Sequence, residues 1–139
     1  MRRPPPPSGT PPPEQAEIEG LGSVELRPLA GESYRRYKTE FPDERERYGE
    51  VGESWYVHDT LWLLSWAALE IRYEGGVLPA NLSWLAQVLA ARDFPLERLA
   101  RSLEITAEVA SERLGPKASA FAGALLAGSG QVKKLQSDG

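Results

Sequence analysis

The sequence predicts an all-α protein, a small bundle of helices in one domain. Apolar residues recur at helical spacing through most of residues 32–126, and glycine or proline marks the ends of these segments. No segment shows the apolar–polar alternation of a strand, and no internal repeat is present. A chain of 139 residues allows one ordinary domain.

The two ends of the chain differ in composition from its middle. Residues 1–22 contain seven of the twelve prolines and little apolar surface to offset the entropy of ordering, which predicts a disordered, Pro-rich tail. Residues 129–139 are predicted to be a flexible C-terminal tail. Residues 23–128 remain as the helical domain.

The first half of that domain is rich in charge and begins with a short helix. Tyr34, Tyr37 and Phe41 are spaced by three and four residues, which predicts an amphipathic helix ending before the next proline. Asp43 is placed to cap one further turn.

Three more helices are predicted after the central one, which should stop at Gly75-Gly76. Asn81 is expected to cap the next helix, which ends before Pro95. A long helix then runs from Pro95 to Gly115, and a last one spans residues 117–126.

The central helix, predicted over residues 53–73, holds three of the four tryptophans and the only histidine. One face of this helix carries Trp55, Asp59, Trp62 and Trp66, which follow one another at steps of four, three and four residues. A carboxylate among indoles needs a partner, because burying it alone costs several kcal/mol or forces its protonation. That partner is either another group of the fold, such as an arginine, or the N–H groups of a ligand.

Composition excludes several classes of function. The absence of cysteine removes disulfides, thiolate metal sites and thiol nucleophiles, and no zinc-protease, Walker or GxSxG motif occurs, so we expect no enzyme and no metal site. A net charge of −4 without a Lys/Arg cluster argues against nucleic acid. Without a signal peptide or a long apolar run, we expect a cytoplasmic protein that does not enter a membrane.

The stretch YGEVGESWYVHDTLWLLSWA, residues 48–67, resembles the chromophore helix of phycobiliproteins, where C-x-R-D is followed by an aromatic pair, Leu, a polar residue and Tyr-Ala. The stretch LAQVLAARDFP, residues 85–95, is similar to the next helix and turn of that family. The likeness covers about residues 45–127 and is strongest to the bilin-biosynthesis-associated globins of non-photosynthetic bacteria. The pattern is also similar to helical segments beside cobalamin-binding modules. The resemblance implies a globin-like fold and a bound linear tetrapyrrole.

The resemblance also implies residue roles. Asp59 falls where the family's aspartate accepts hydrogen bonds from the pyrrole N–H groups, and His58 falls where an arginine pairs with a propionate. Trp62 and Trp66 take aromatic positions beside the chromophore. Tyr56 stands in place of the attachment cysteine, so a biliverdin-like bilin would have to bind non-covalently.

We therefore expect Trp55, Trp62 and Trp66 to form an aromatic wall around Asp59, with Tyr56 and His58 at its rim. Propionates would be received by an arginine among Arg35, Arg36, Arg45, Arg47 and Arg72.

Two other functions stay open at this point. One is a helical interaction or dimerisation module that has lost the ligand, present as a homodimer or heteromer. The other is binding of haem or cobalamin through His58.

Overall fold

The computed structural model describes residues 11–73 and 75–138. In chain order the elements are β1 (Gln15–Ile18), β2 (Gly22–Glu25), α1 (Arg27–Glu40), α2 (Glu44–Tyr48), α3 (Val51–Tyr73), α4 (Val77–Ala91), α5 (Leu96–Leu114), a short 3-10 turn (Pro116–Ala118) and α6 (Ser119–Asp138). Helices thus dominate the described residues, and the all-α prediction is confirmed.

Helix α3 lies at the centre and packs against α1, α2, α4 and α6. Every residue from Leu63 to Ala68 is buried, so this part of the helix is covered on all sides, as its nearly continuous apolar sequence requires. Helices α5 and α6, joined by the 3-10 turn, make the most extensive contact of the bundle. The core between the helices includes Tyr37, Leu61, Leu64, Leu103, Phe121 and Leu125, all fully buried.

A small antiparallel hairpin precedes the helices, and here the predicted tail is wrong. Strand β1 pairs with β2, with Gln15 opposite Glu25, and Ile18 is only 1% exposed in the core. Gly20 adopts φ 87°, a left-handed conformation that glycine allows in the turn. Each strand has only four residues, too few for alternation to stand out in the sequence. Residues 1–10 of the predicted tail lie outside the described residues.

The predicted C-terminal tail is also wrong for residues 129–138, which continue α6. Val132 is fully buried, and Ser129 Oγ donates to Glu104 Oε2 on α5 at 2.8 Å. Small residues in this part of the chain allow close helix packing: a Cβ on Gly128 would lie 3.1 Å from Leu82 Cδ2.

Helix α4 begins earlier than predicted, at Val77. Asn81 does not cap it but lies inside the helix, where its Nδ2 donates to Val77 O at 2.8 Å. The carboxylate of Glu70 on α3 instead accepts the N–H groups of Gly76 and Leu78, at 3.4 and 3.1 Å. A cap supplied by another helix leaves no local signal in the sequence.

Candidate ligand-binding site

A cleft of about 410 Å³ lies between α3 and α4, with α2, the turn after α4 and the start of α5 completing its wall. Its volume falls within the range of sites for small molecules. Helix α4 returns alongside α3 because only residues 74–76 join the two helices.

The six residues predicted to contact a ligand all line this cleft: Trp55, Tyr56, His58, Asp59, Trp62 and Trp66. Trp84 of α4 lines it too, so all four tryptophans of the chain face one cavity. The contribution of α4, with Trp84, Val88 and Arg92, was not predicted. Its signal was the four-residue spacing of these three positions on a helix next to α3.

The indoles form a partly stacked wall. The rings of Trp62 and Trp66 have centroids 5.8 Å apart and planes inclined by 28°. Trp66 is 5% exposed and Trp62 is half-buried. Trp62 Nε1 is itself buried and has no hydrogen-bond partner among the described residues. A buried N–H without an acceptor costs about 1–3 kcal/mol, so an acceptor reaching it would be favourable.

Asp59 lies in the wall with its side chain 17% exposed, next to His58 at 28%. The two side chains approach each other, with His58 Nδ1 3.3 Å from Asp59 Oδ1. The side chains of adjacent helical residues leave the helix axis about 100° apart, so both side chains must turn toward each other to make this contact. Asp59 is therefore a largely buried carboxylate at the edge of an indole surface.

Three arginines of α1 and α2 contact nearby carboxylates in the structure. Arg36 contacts Glu32 and Glu112, at 3.1 and 2.8 Å. Arg45 contacts Glu50 at 3.2 Å. Arg47 lies 3.9 Å from the carboxylate of Asp43.

Tyr56 lines the cleft with its ring, and the expectation that it lies at the rim is wrong. Its hydroxyl points into the bundle, where it shares a 2.8 Å hydrogen bond with Ser33 Oγ, which is in turn 2.8 Å from Thr106 Oγ1. The rings of Tyr34 and Tyr37 pack against it at centroid distances of 5.3 and 4.7 Å. Burial raises the pKa of Tyr56, so its phenol stays neutral and contributes a fixed apolar surface.

Two arginines line the cleft, and only one of them was predicted. Arg47 on α2 has its Cζ 5.5 Å from the centre of the Tyr48 ring. Arg92, which caps the end of α4, is half-buried and has no ion pair within 4 Å among the described residues. The other predicted candidates are outside the wall: Arg35, Arg36, Arg45 and Arg72.

A partly buried ionic network holds α2 against the cleft. Glu44 Oε1 accepts hydrogen bonds from Tyr37 Oη at 2.7 Å and Arg98 Nη1 at 2.8 Å. Arg98 Nη2 also donates to both oxygens of Asp43, at 3.0 and 2.9 Å. These bonds lower the pKa of Asp43 and, against the effect of burial, raise that of Arg98. Helix α2 is thereby anchored to α5.

Comparison of the chain with protein-family models, curated proteins and solved structures finds no match. In residues 11–73 and 75–138, no helix combines the length and apolarity needed to cross a membrane. The same residues contain no group of three or more metal-ligating side chains. What the cleft can bind follows from its own surface: flat indoles, the carboxylates of Asp59 and Glu44, and two guanidinium groups.

Proposed function

We propose that the protein binds a linear tetrapyrrole, a biliverdin-like bilin, non-covalently in the cleft between α3 and α4, and that it acts as a binding protein rather than an enzyme. The observation that carries this proposal is Asp59, a carboxylate in a cleft walled by all four tryptophans. A bilin offers a long flat π surface and several pyrrole N–H donors. Indole rings can stack on the π surface, and a carboxylate can accept charge-assisted hydrogen bonds from the pyrrole N–H groups.

The buried indole N–H of Trp62 supports the same ligand. It has no acceptor among the described residues, whereas the terminal rings of a bilin carry carbonyl oxygens. A ligand oxygen that accepts a hydrogen bond from this N–H would remove the free-energy cost of burying the donor without a partner.

Tyr56 favours non-covalent binding. With no cysteine in the chain a thioether is excluded, and the neutral, hydrogen-bonded phenol of Tyr56 is not a nucleophile. The likeness of residues 45–127 to the bilin-biosynthesis-associated globins supports the same class of ligand and is proposed together with it.

The test is a titration with biliverdin, followed by tryptophan fluorescence and visible absorption. Because every tryptophan lines the cleft, we expect strong quenching and a sharpened red absorption band. Asp59→Asn keeps the side-chain volume but removes the charge, and should weaken binding about tenfold or more.

Glu53→Gln is the matched control. Glu53 is an exposed acid on the same helix and does not line the cleft, so its variant should bind like wild type. Quenching that is equally strong in Asp59→Asn and in wild type would contradict the role given to the carboxylate.

A helical interaction module is the second candidate. It is favoured by Leu69 and Tyr73, which lie one turn apart on α3, outside the cleft, and are 39% and 62% exposed. A stable dimer by sedimentation, with no spectral response to micromolar biliverdin, would select this function. A Soret shift with haem that is lost in His58→Ala would instead select axial ligation by the histidine.

A further inference from the structure

We propose that the ligand of the cleft is an acid with a flat conjugated body, and that its carboxylates lie where Arg47 and Arg92 line the wall. The inference rests on the proposed function only in taking the cleft to be a small-molecule site. It adds which residues hold the acid groups and therefore how the ligand is oriented.

Arg92 is the first observation. It follows the last turn of α4, lines the cleft and is half-buried, yet among the described residues no carboxylate lies within 4 Å of it. A partly desolvated guanidinium gains most from a carboxylate, which it can bind with two parallel hydrogen bonds.

The loose pairing of Arg47 is the second observation. The carboxylates of Asp43 and Glu44 are both held by Arg98 at 2.8 to 3.0 Å. Arg47 reaches Asp43 only at 3.9 Å. Arg98 therefore takes up both carboxylates at short distance, and Arg47 is left with one contact at the limit of an ion pair.

The third observation is the unequal chemistry of the two ends. The wall follows α3 from Val51 to Trp66, roughly 22 Å at 1.5 Å per residue. The arginine end is marked by Tyr48 and Phe94, whose ring centroids are 5.8 Å apart and which lie one and two residues after Arg47 and Arg92.

The far end of the wall carries the stacked rings of Trp62 and Trp66, and Asp59 lies between the two ends. The matching ligand is flat, with N–H groups facing Asp59 and with carboxylates on side chains that reach the arginines.

The experiment compares biliverdin with its dimethyl ester, which keeps the π system and the pyrrole N–H groups but has no carboxylate. Affinity is measured by tryptophan quenching on the whole chain. For wild type we expect the ester to bind about tenfold more weakly, with the difference shrinking at high salt. In Arg92→Gln the acid should bind nearly as weakly as the ester.

Two further variants separate charge from packing. Arg92→Lys keeps the charge and should retain part of the preference for the acid. Arg72→Gln changes an exposed arginine of α3 outside the cleft and should retain all of it.

Equal affinity of wild type for acid and ester would overturn the inference while leaving bilin binding in place. A preference that persists unchanged in Arg92→Gln would overturn the assignment to Arg92. Failure of both compounds to bind would overturn the inference and the proposed function together.

Discussion

At the scale of single residues, Arg98 does the most to shape the cleft without lining it. Its guanidinium joins Asp43 and Glu44 and lies 4.5 Å from the centre of the Phe41 ring. Helix α2 has only five residues and would not persist alone. Arg98 therefore fixes the position from which α2 presents Arg47 to the cleft.

The Asp43–Arg98 pair predicts a loss of stability in acid. The bonded carboxyl of Asp43 has a pKa below its ordinary value of 3.8, so below about pH 4 the unfolded chain binds the proton more readily than the folded one. The free energy of unfolding should then fall with pH. The Asp43→Asn variant lacks this carboxylate. Its free energy of unfolding should therefore be lower than that of wild type at pH 7, and the difference should shrink toward pH 2 in urea titrations. If the free energy of unfolding of Asp43→Asn is lower than that of wild type by the same amount at every pH, the Asp43–Arg98 pair does not hold α2.

At the scale of elements, the sequence predicted what depends on local spacing. The steps of four, three and four residues from Trp55 to Trp66 identified α3 and the face that borders the cleft. Composition misled at both ends. Four-residue strands beside prolines suggested disorder. The Gly/Ser-rich end suggested a flexible tail over residues 129–139, although α6 continues through it to Asp138.

Two glycines of α6 test whether this last segment is an ordered helix. Gly130 is exposed and a Cβ there meets nothing within 4 Å, so Gly130→Ala should raise the free energy of unfolding by about 0.5–1 kcal/mol through helix propensity. Gly128→Ala places a Cβ 3.1 Å from Leu82 Cδ2, and this crowding should cancel or reverse the same gain.

Urea unfolding of the two variants, with wild type alongside, gives the comparison. Equal effects of the two substitutions would contradict the close packing of α6 at Gly128. No effect from either would contradict an ordered helix beyond residue 128.

At the scale of the whole molecule, the site divides into a part that sequence could predict and a part that it could not. The six residues from α3 share one helix, so their proximity follows from helical geometry. Trp84 and Arg92 join them only because α4 folds back along α3, and the choice of Arg47 over other arginines depends on how Arg98 anchors α2. The ligand and the relation to globins stay predictions.

The most direct measurement of the central claim uses the four indole N–H signals in a ¹⁵N–¹H correlation spectrum during titration with biliverdin. All four tryptophans line the cleft, so binding there should shift all four signals, and the signal of Trp62 should move downfield as its buried N–H gains an acceptor. Four signals that stay in place at saturating biliverdin would contradict the cleft as a tetrapyrrole site.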